Sequence, residues 1–211
     1  MQIGIVGAIG AGKDTVASIL TKHYPFERVR YADPLKCAAE YVFGRNFDDR
    51  SVKEVPVPIF GTNAEQRIID AALRLSGELG FTGTAAHNFK ELLHSELLKP
   101  TLSPRTFQQL LGTDVCRQVK PDCFVELVKS KQNIVVPDVR FENEILPVTI
   151  LVDNGTYSES KHISEQLARE MLSNPYKYNT EVYYVPNKGS LASLEKLILD
   201  LGDYIGLVKT A

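Results

Sequence analysis

The sequence is poor in several features that would each have assigned it to a class. It has no run of about eighteen apolar residues, so nothing in it reads as a membrane-spanning helix. It has no Cys-x-x-Cys pair. Its three cysteines, Cys37, Cys116 and Cys123, are widely spaced, which argues against zinc and redox motifs and reads as small apolar core residues with free thiols. It has little excess of charge: 24 Lys+Arg against 26 Asp+Glu leave −2, with no broad basic face for nucleic acid or for a membrane surface. A phosphate-bearing partner is therefore expected to be small and to be met at a local site. No basic start with a cleavage site opens the chain, so a cytoplasmic protein is expected. Repeats and low-complexity tracts are lacking, and so is an Asn-Lys-x-Asp guanine motif, which argues against a GTPase.

What remains is ordinary globular composition, 44% hydrophobic and 24% charged over 211 residues. That suits one large α/β domain or a core with an inserted subdomain. The chain opens on an apolar run, Gln2 to Val6, followed by Gly7-Ala8-Ile9-Gly10-Ala11-Gly12-Lys13-Asp14-Thr15 and then an amphipathic stretch. A strand, a glycine loop closing in Gly-Lys and a helix make the layout of a P-loop. Glycines let backbone N–H groups turn inward around phosphate oxygens, and the helix start adds unpaired N–H groups and the positive end of its dipole. Gly10, Ala11, Gly12, Lys13, Asp14 and Thr15 are thus candidate phosphate-binding residues. Lys13 supplies a mobile point charge. Asp14 stands where Ser or Thr usually holds Mg²⁺; as a hard oxygen donor it is a candidate ligand, and Thr15 is the substitute.

Helical spacing of Val16, Ile19 and Leu20 predicts a helix over 12–23. Alternation predicts a strand over Glu27–Tyr31, and Asp33-Pro34 reads as an N-cap with proline at the first helical position of a helix to Phe43. Strand, loop, helix, strand, helix is the start of a parallel α/β sheet, whose ligands bind beyond the carboxyl ends of the strands. Ala32, Asp33 and Lys36 fall there. Residues 44–63 read as a loop or flap. Helices are expected over 64–79 and, capped by Asn88, over 88–98. Together they form a helical insertion at roughly 44–110. Ser103-Pro104-Arg105 starts a further helix that Gly112 interrupts, and another spans 121–131.

Ile134-Val135-Val136 before Pro137 reads as a central strand, with Asp138 at its carboxyl end placed like a Walker B aspartate and so a second metal candidate. Arg140, two residues on, suits the equatorial oxygens of a transferring phosphoryl group. Glu142 to Leu146 reads as a short helix and Val148 to Val152 as a strand. Residues 153–175, with Lys161, His162 and Arg169, occupy a lid-like position. A last strand over 181–185 leads through Asn187-Lys188-Gly189-Ser190 into a final helix capped by Ser190. Asn187 and Gly189 are placed to hold an adenine ring.

Several segments together resemble the deoxynucleoside monophosphate kinases of tailed bacteriophages. They are GAGKDT (Gly10 to Thr15), Ala-Asp-Pro-Leu-Lys at 32–36, Leu-Gly-Thr-Asp at 111–114, Val-Pro-Asp-Val-Arg at 136–140, His-Ile-Ser-Glu at 162–165 and Asn-Lys-Gly-Ser-Leu at 187–191. The resemblance implies a three-layer P-loop kinase fold over residues 1–211, with a parallel central sheet, helical acceptor-binding insertion and lid. It implies ATP as phosphoryl donor, Mg²⁺, a deoxynucleoside 5′-monophosphate as acceptor and, if a phage encodes the chain, the host cytoplasm. By position, Lys13, Asp138 and Arg140 are catalytic, Asp14 and Asp138 serve the metal, and Asp33, Lys36, Arg105, Asp114 and Arg140 hold the acceptor. The chain lacks an arginine-rich lid. Partners are small nucleotides, and a homodimer stays open. Alternatives are a dephospho-coenzyme A or phosphomevalonate type of kinase, or a nucleotide-dependent switch or binding module.

Overall fold

Five apolar, small or amide residues form β1 (Gln2–Val6), which is buried from Ile3 onward. In this computed structural model, residues 1–44, 50–156 and 163–210 are described. They form two compact units, Met1–Tyr31 with Val128–Ala211, and Ala32–Leu127. The second is wider than the 44–110 insertion read from the sequence.

After β1, the first unit continues with α1 (Lys13–His23) and β2 (Glu27–Arg28). The strand expected to reach Tyr31 is cut short. Val29 still donates to Val135 O at 3.0 Å, but the neighbouring strand then meets Pro137, which has no N–H, and Tyr31 N–H turns to the Asp138 carboxylate instead.

The second unit is mostly helical. It holds α2 (Asp33–Phe43), α3 (Arg50–Lys53), β3 (Val57–Pro58), α4 (Asn63–Glu78), α5 (Gly83–Leu92), β4 (Thr101–Leu102), α6 (Pro104–Gln109) and α7 (Arg117–Val119). α2 begins one residue earlier than expected: Ala32 is the cap and Asp33 lies in the first turn. The stretch read as a loop, 44–63, carries α3 and β3, and β3 pairs antiparallel with β4, Val57 opposite Leu102. α5 starts at Gly83 after Thr82, so Asn88 lies inside the helix and caps nothing. It runs into a π-helical turn, Leu93–Leu97, that keeps Phe89, Leu93 and Leu97 buried. Gly112 does not interrupt the chain either. It lies in a π-helical segment, Leu110–Cys116, where a Cβ would approach Leu35 Cδ1 to 2.7 Å, so glycine permits close helix packing. Ser103 does cap α6, accepting from Thr106 N–H at 3.1 Å. Cys116 and Cys123 are buried as expected, whereas Cys37 is exposed.

The chain then passes through α8 (Cys123–Lys129) into β5 (Ile134–Val136), a 3₁₀ turn (Glu142–Glu144) and β6 (Val148–Asp153). α9 (Ile163–Ser173), β7 (Glu181–Pro186) and α10 (Leu191–Tyr204) complete it. The five longer-range strands pair in parallel in the order β2-β5-β1-β6-β7. Side chains alternate across this sheet. Ile3 and Ile5 join Val16, Leu20, Leu194 and Ile198 in a core shared with α1 and α10. On the other face Gly4 meets Val139 and Leu146, and α9 packs there through buried Leu167, Ala168 and Met171. Helices on both faces of a parallel sheet are compatible with a three-layer α/β fold. Among the described residues no helix is long and apolar enough to cross a membrane.

Candidate functional site

Parallel pairing puts the carboxyl ends of all the strands along one edge of the sheet, and the loops leaving them meet there. The first is the glycine loop between β1 and α1. Ala11 N–H closes a turn on Ala8 O at 3.1 Å. Gly7 passes so near β6 that a Cβ would stand 2.6 Å from Val152 O. Gly12 has φ 97°, in the left-handed region, and a Cβ on it would run into the Asn187 amide. Gly12 is also the cap of α1 and has no side chain to offer. The N–H groups of Gly12, Lys13, Asp14 and Thr15 therefore have no intrahelical acceptor, and Val16 N–H is the first to find one, on Gly12 O.

Lys13 folds back over this loop. Its Nζ donates to Gly7 O at 2.7 Å and to Ala8 O at 2.8 Å. Burial, and then the positive charge of Arg140, push its pKa down, while the carboxylates of Asp14, Asp138 and Glu165 act in the opposite sense. Three candidate charges, and Glu165 with them, are thereby within electrostatic reach of one ammonium group. Arg140 is anchored through its backbone: its N–H donates to Glu144 Oε2 at 2.7 Å, with Phe141 N–H on the same oxygen at 3.1 Å. Glu144 itself is 1% exposed. Asp138 Oδ1 accepts from Tyr31 N–H at 3.0 Å.

The loop is held from the neighbouring strands. Asn187 Nδ2 donates to Ala11 O at 2.8 Å, and Asn187 N–H to Asp153 O at 2.6 Å. Asn154 Nδ2 reaches Gly10 O at 3.3 Å. Asn187, expected at an adenine, thus spends its amide on the loop's carbonyl, while Gly189 is exposed in the turn that follows.

Sequence reasoning missed Arg28 and Arg30. Both contact Asp14 Oδ1, Arg28 closely through Nη2 and Arg30 through Nη2 at 3.2 Å. Two arginines at period-two spacing in the segment leaving a sheet strand were the available clue. Glu165, read only as part of a capping segment, is buried at 2% exposure in the first turn of α9. Lys161 and His162 lie outside the described residues. Arg169 donates from Nε to Glu165 O at 3.3 Å.

The remaining acceptor candidates all fall in the second unit. Asp33 and Lys36 share the first turn of α2, with Lys36 Nζ 3.9 Å from Glu40 Oε1. Arg105 pairs with Glu54 at 2.5 Å, and Asp114 is half-buried in the π-helical segment.

For a divalent cation, the donor set consists of the Asp14 and Asp138 carboxylates. Among the described residues no group of three or more His, Cys, Asp or Glu side chains is arranged for a metal. Magnesium asks for less, one or two carboxylates completed by phosphate oxygens and water, so hard donors of this kind fit it. A cavity of about 200 Å³ lies elsewhere in the first unit, lined by Met1, Tyr24, Phe26, Asn133, Leu207 and Val208, and holds none of these residues.

The chain matches no protein-family model and no curated protein sequence. The functional reading accordingly rests on the geometry above and on the motifs.

Proposed function

We propose that this chain transfers the γ-phosphoryl group of ATP to deoxynucleoside 5′-monophosphates, giving the diphosphate and ADP. The observation that carries the reading is the turn between β1 and α1. Uncapped helix N–H groups and a desolvated lysine converge on one short loop at the carboxyl edge of a parallel sheet. Such an arrangement has donors for several phosphate oxygens, and no side chain of the cap residue occupies them.

Phosphoryl transfer needs little covalent help from a protein; alignment and positive charge at the developing negative charge suffice. In this reading Lys13 exchanges its two carbonyl acceptors for phosphate oxygens. Arg140, its backbone fixed by buried Glu144, presents a guanidinium to the group in flight. Asp138 and Asp14 would hold Mg²⁺, which neutralises phosphate charge when bound. The resemblance assigns Asp33, Lys36, Arg105 and Asp114, all of the second unit, to the acceptor, and α9 with Arg169 to the covering segment.

The test is a coupled ADP-release assay across dTMP, dGMP, dCMP, dAMP, dephospho-coenzyme A and phosphomevalonate. ADP release that depends on a deoxynucleoside monophosphate is the expected result. Release only with one of the last two acceptors, or slow hydrolysis indifferent to every acceptor, refutes the proposal.

A further inference from the structure

The Asp14 carboxylate is shared in an unusual way. A single oxygen, Oδ1, meets the Nη2 atoms of both Arg28 and Arg30. One carboxylate oxygen thus meets two guanidinium groups, with the Lys13 ammonium on the adjacent residue. Arginine bonds carboxylates best in a parallel fork, two N–H groups to two oxygens. Arg28 does not reach that arrangement. Its Nη1 contact to Ser18 Oγ is long, at 3.4 Å, and its Nε is buried with no acceptor among the described residues. A buried charged donor without an acceptor is costly and calls for an explanation. The Asp14 side chain is 74% exposed, so the carboxylate that both arginines meet lies at the surface, open to competition.

The place matters as much as the pairing. Asp14 sits in the first turn of α1, where uncapped N–H groups and the helix dipole favour negative charge. An incoming anion would meet the same donors and the same two cations.

We propose that Arg28 and Arg30 are anion-binding residues of the glycine-loop site, held in position by Asp14 and released from it to the oxygens of a bound polyphosphate. Asp14 is then a positioning residue, a resident counter-ion that the ligand displaces. The inference deepens the phosphoryl-transfer reading by naming cations for a sequence that lacks an arginine-rich lid. It rests on that reading only in placing a polyphosphate at the loop. The released Asp14 carboxylate becomes available to Mg²⁺ in the same exchange, so metal and phosphate binding reinforce each other.

Calorimetry on the full chain, with sodium tripolyphosphate as a probe that has no base or sugar, tests this with and without Mg²⁺. Arg28→Ala and Arg30→Ala each weaken tripolyphosphate by about tenfold or more, as befits a charge-assisted bond. Lysine at either position recovers only part of the loss, because the fork is gone. Asp14→Asn leaves Mg²⁺-free binding as tight as in the parent or tighter, because the competitor is removed, and shrinks the gain that Mg²⁺ brings. Thermal melting of each variant checks the fold; should Arg28→Ala fail to fold, Arg28→Lys and the more exposed Arg30→Ala carry the test. Arginine variants that bind the probe like the parent overturn the inference and leave the phosphoryl-transfer reading standing. Arginine-dependent probe binding without acceptor-dependent ADP release does the reverse. A parent protein that binds neither probe nor ATP refutes both.

Discussion

The side-chain amide of Asn187 donates to the carbonyl oxygen of Ala11 at 2.8 Å, across 176 residues of sequence. This bond ties the turn after β7 to the glycine loop after β1. With Asn187 N–H on Asp153 O, it makes the loop's shape depend on two other strand ends. Asn187→Ala should cost about 1 kcal/mol of stability, the usual worth of such a bond. On the phosphoryl-transfer proposal, ATP binding should weaken several-fold beyond that, because the loop's N–H groups lose their orientation. Urea unfolding and ATP titration of the same variant measure the two separately. Unchanged affinity would mean that the loop holds its shape without the amide.

Lys13 gives a prediction of opposite sign for stability and for activity. Burial lowers its pKa, so the folded state holds the proton less tightly than the unfolded chain does. Where lysine is protonated in both states, that difference is a penalty on folding. As pH rises through the folded pKa toward the ordinary 10.5, the unfolded chain keeps more protons than the folded one, and stability grows. Lys13→Met should therefore melt above the parent at neutral pH, and the gap should narrow through the alkaline range. On the phosphoryl-transfer proposal, its turnover should fall by about a hundredfold or more, the scale seen for loss of one transition-state donor. A melting-temperature series against pH, set beside the turnover assay, checks both signs.

Glu144 is the buried anchor of the Arg140 segment. Glu144→Ala removes the acceptor for two backbone N–H groups and should destabilise by roughly 2–4 kcal/mol. Glu144→Gln keeps an acceptor oxygen and should lose less than half of that. Chemical denaturation of the pair separates a hydrogen-bonding role from simple packing, for which the two variants would behave alike.

The thiols offer a direct test of the packing. Cys37 is exposed, while Cys116 and Cys123 are buried. Burial pushes both of the latter up, Cys123 to about 11. Because the thiolate is the reactive species, an aromatic disulfide reagent near pH 8 should titrate one thiol in the native protein and three after unfolding. Fast reaction of a second thiol would show that the helices around Cys116 and Cys123 open readily.

Gly202 probes the seam between α1 and α10. A Cβ there would overlap the ring of Tyr24, whose hydroxyl donates to Leu199 O at 3.3 Å. Gly202→Ala should cost about 1–3 kcal/mol through overpacking. Tyr24→Leu, which empties the ring's place, should make the same glycine substitution much cheaper. A double-mutant cycle in urea reads the coupling, and additive effects would contradict the contact.

How much of this was legible beforehand varies residue by residue. Strand β1, the glycine loop, β5, β6, β7 and the Ser103 and Ser190 caps follow from local rules: apolar runs, glycine before a helix, hydroxyl residues accepting first-turn N–H groups. Asp14, Lys13, Asp138 and Arg140 could be picked out because loop and strand-end positions are read along the chain. The β3–β4 pair could not, since two-residue strands carry no period. Gly112 was misread as an interruption because a glycine in sequence does not reveal whether it breaks a helix or admits a neighbour's Leu35.

The sequence by itself determined that the chain begins with a buried strand, a glycine turn and a helix, because those depend on residues a few positions apart. Only the tertiary structure decided what surrounds that turn. Arg28 and Arg30 on Asp14, Asn187 on Ala11 and Tyr31 on Asp138 are bonds between residues 14 to 176 apart. Such contacts come from the order in which parallel strands line up, and no local rule of propensity or spacing contains that order.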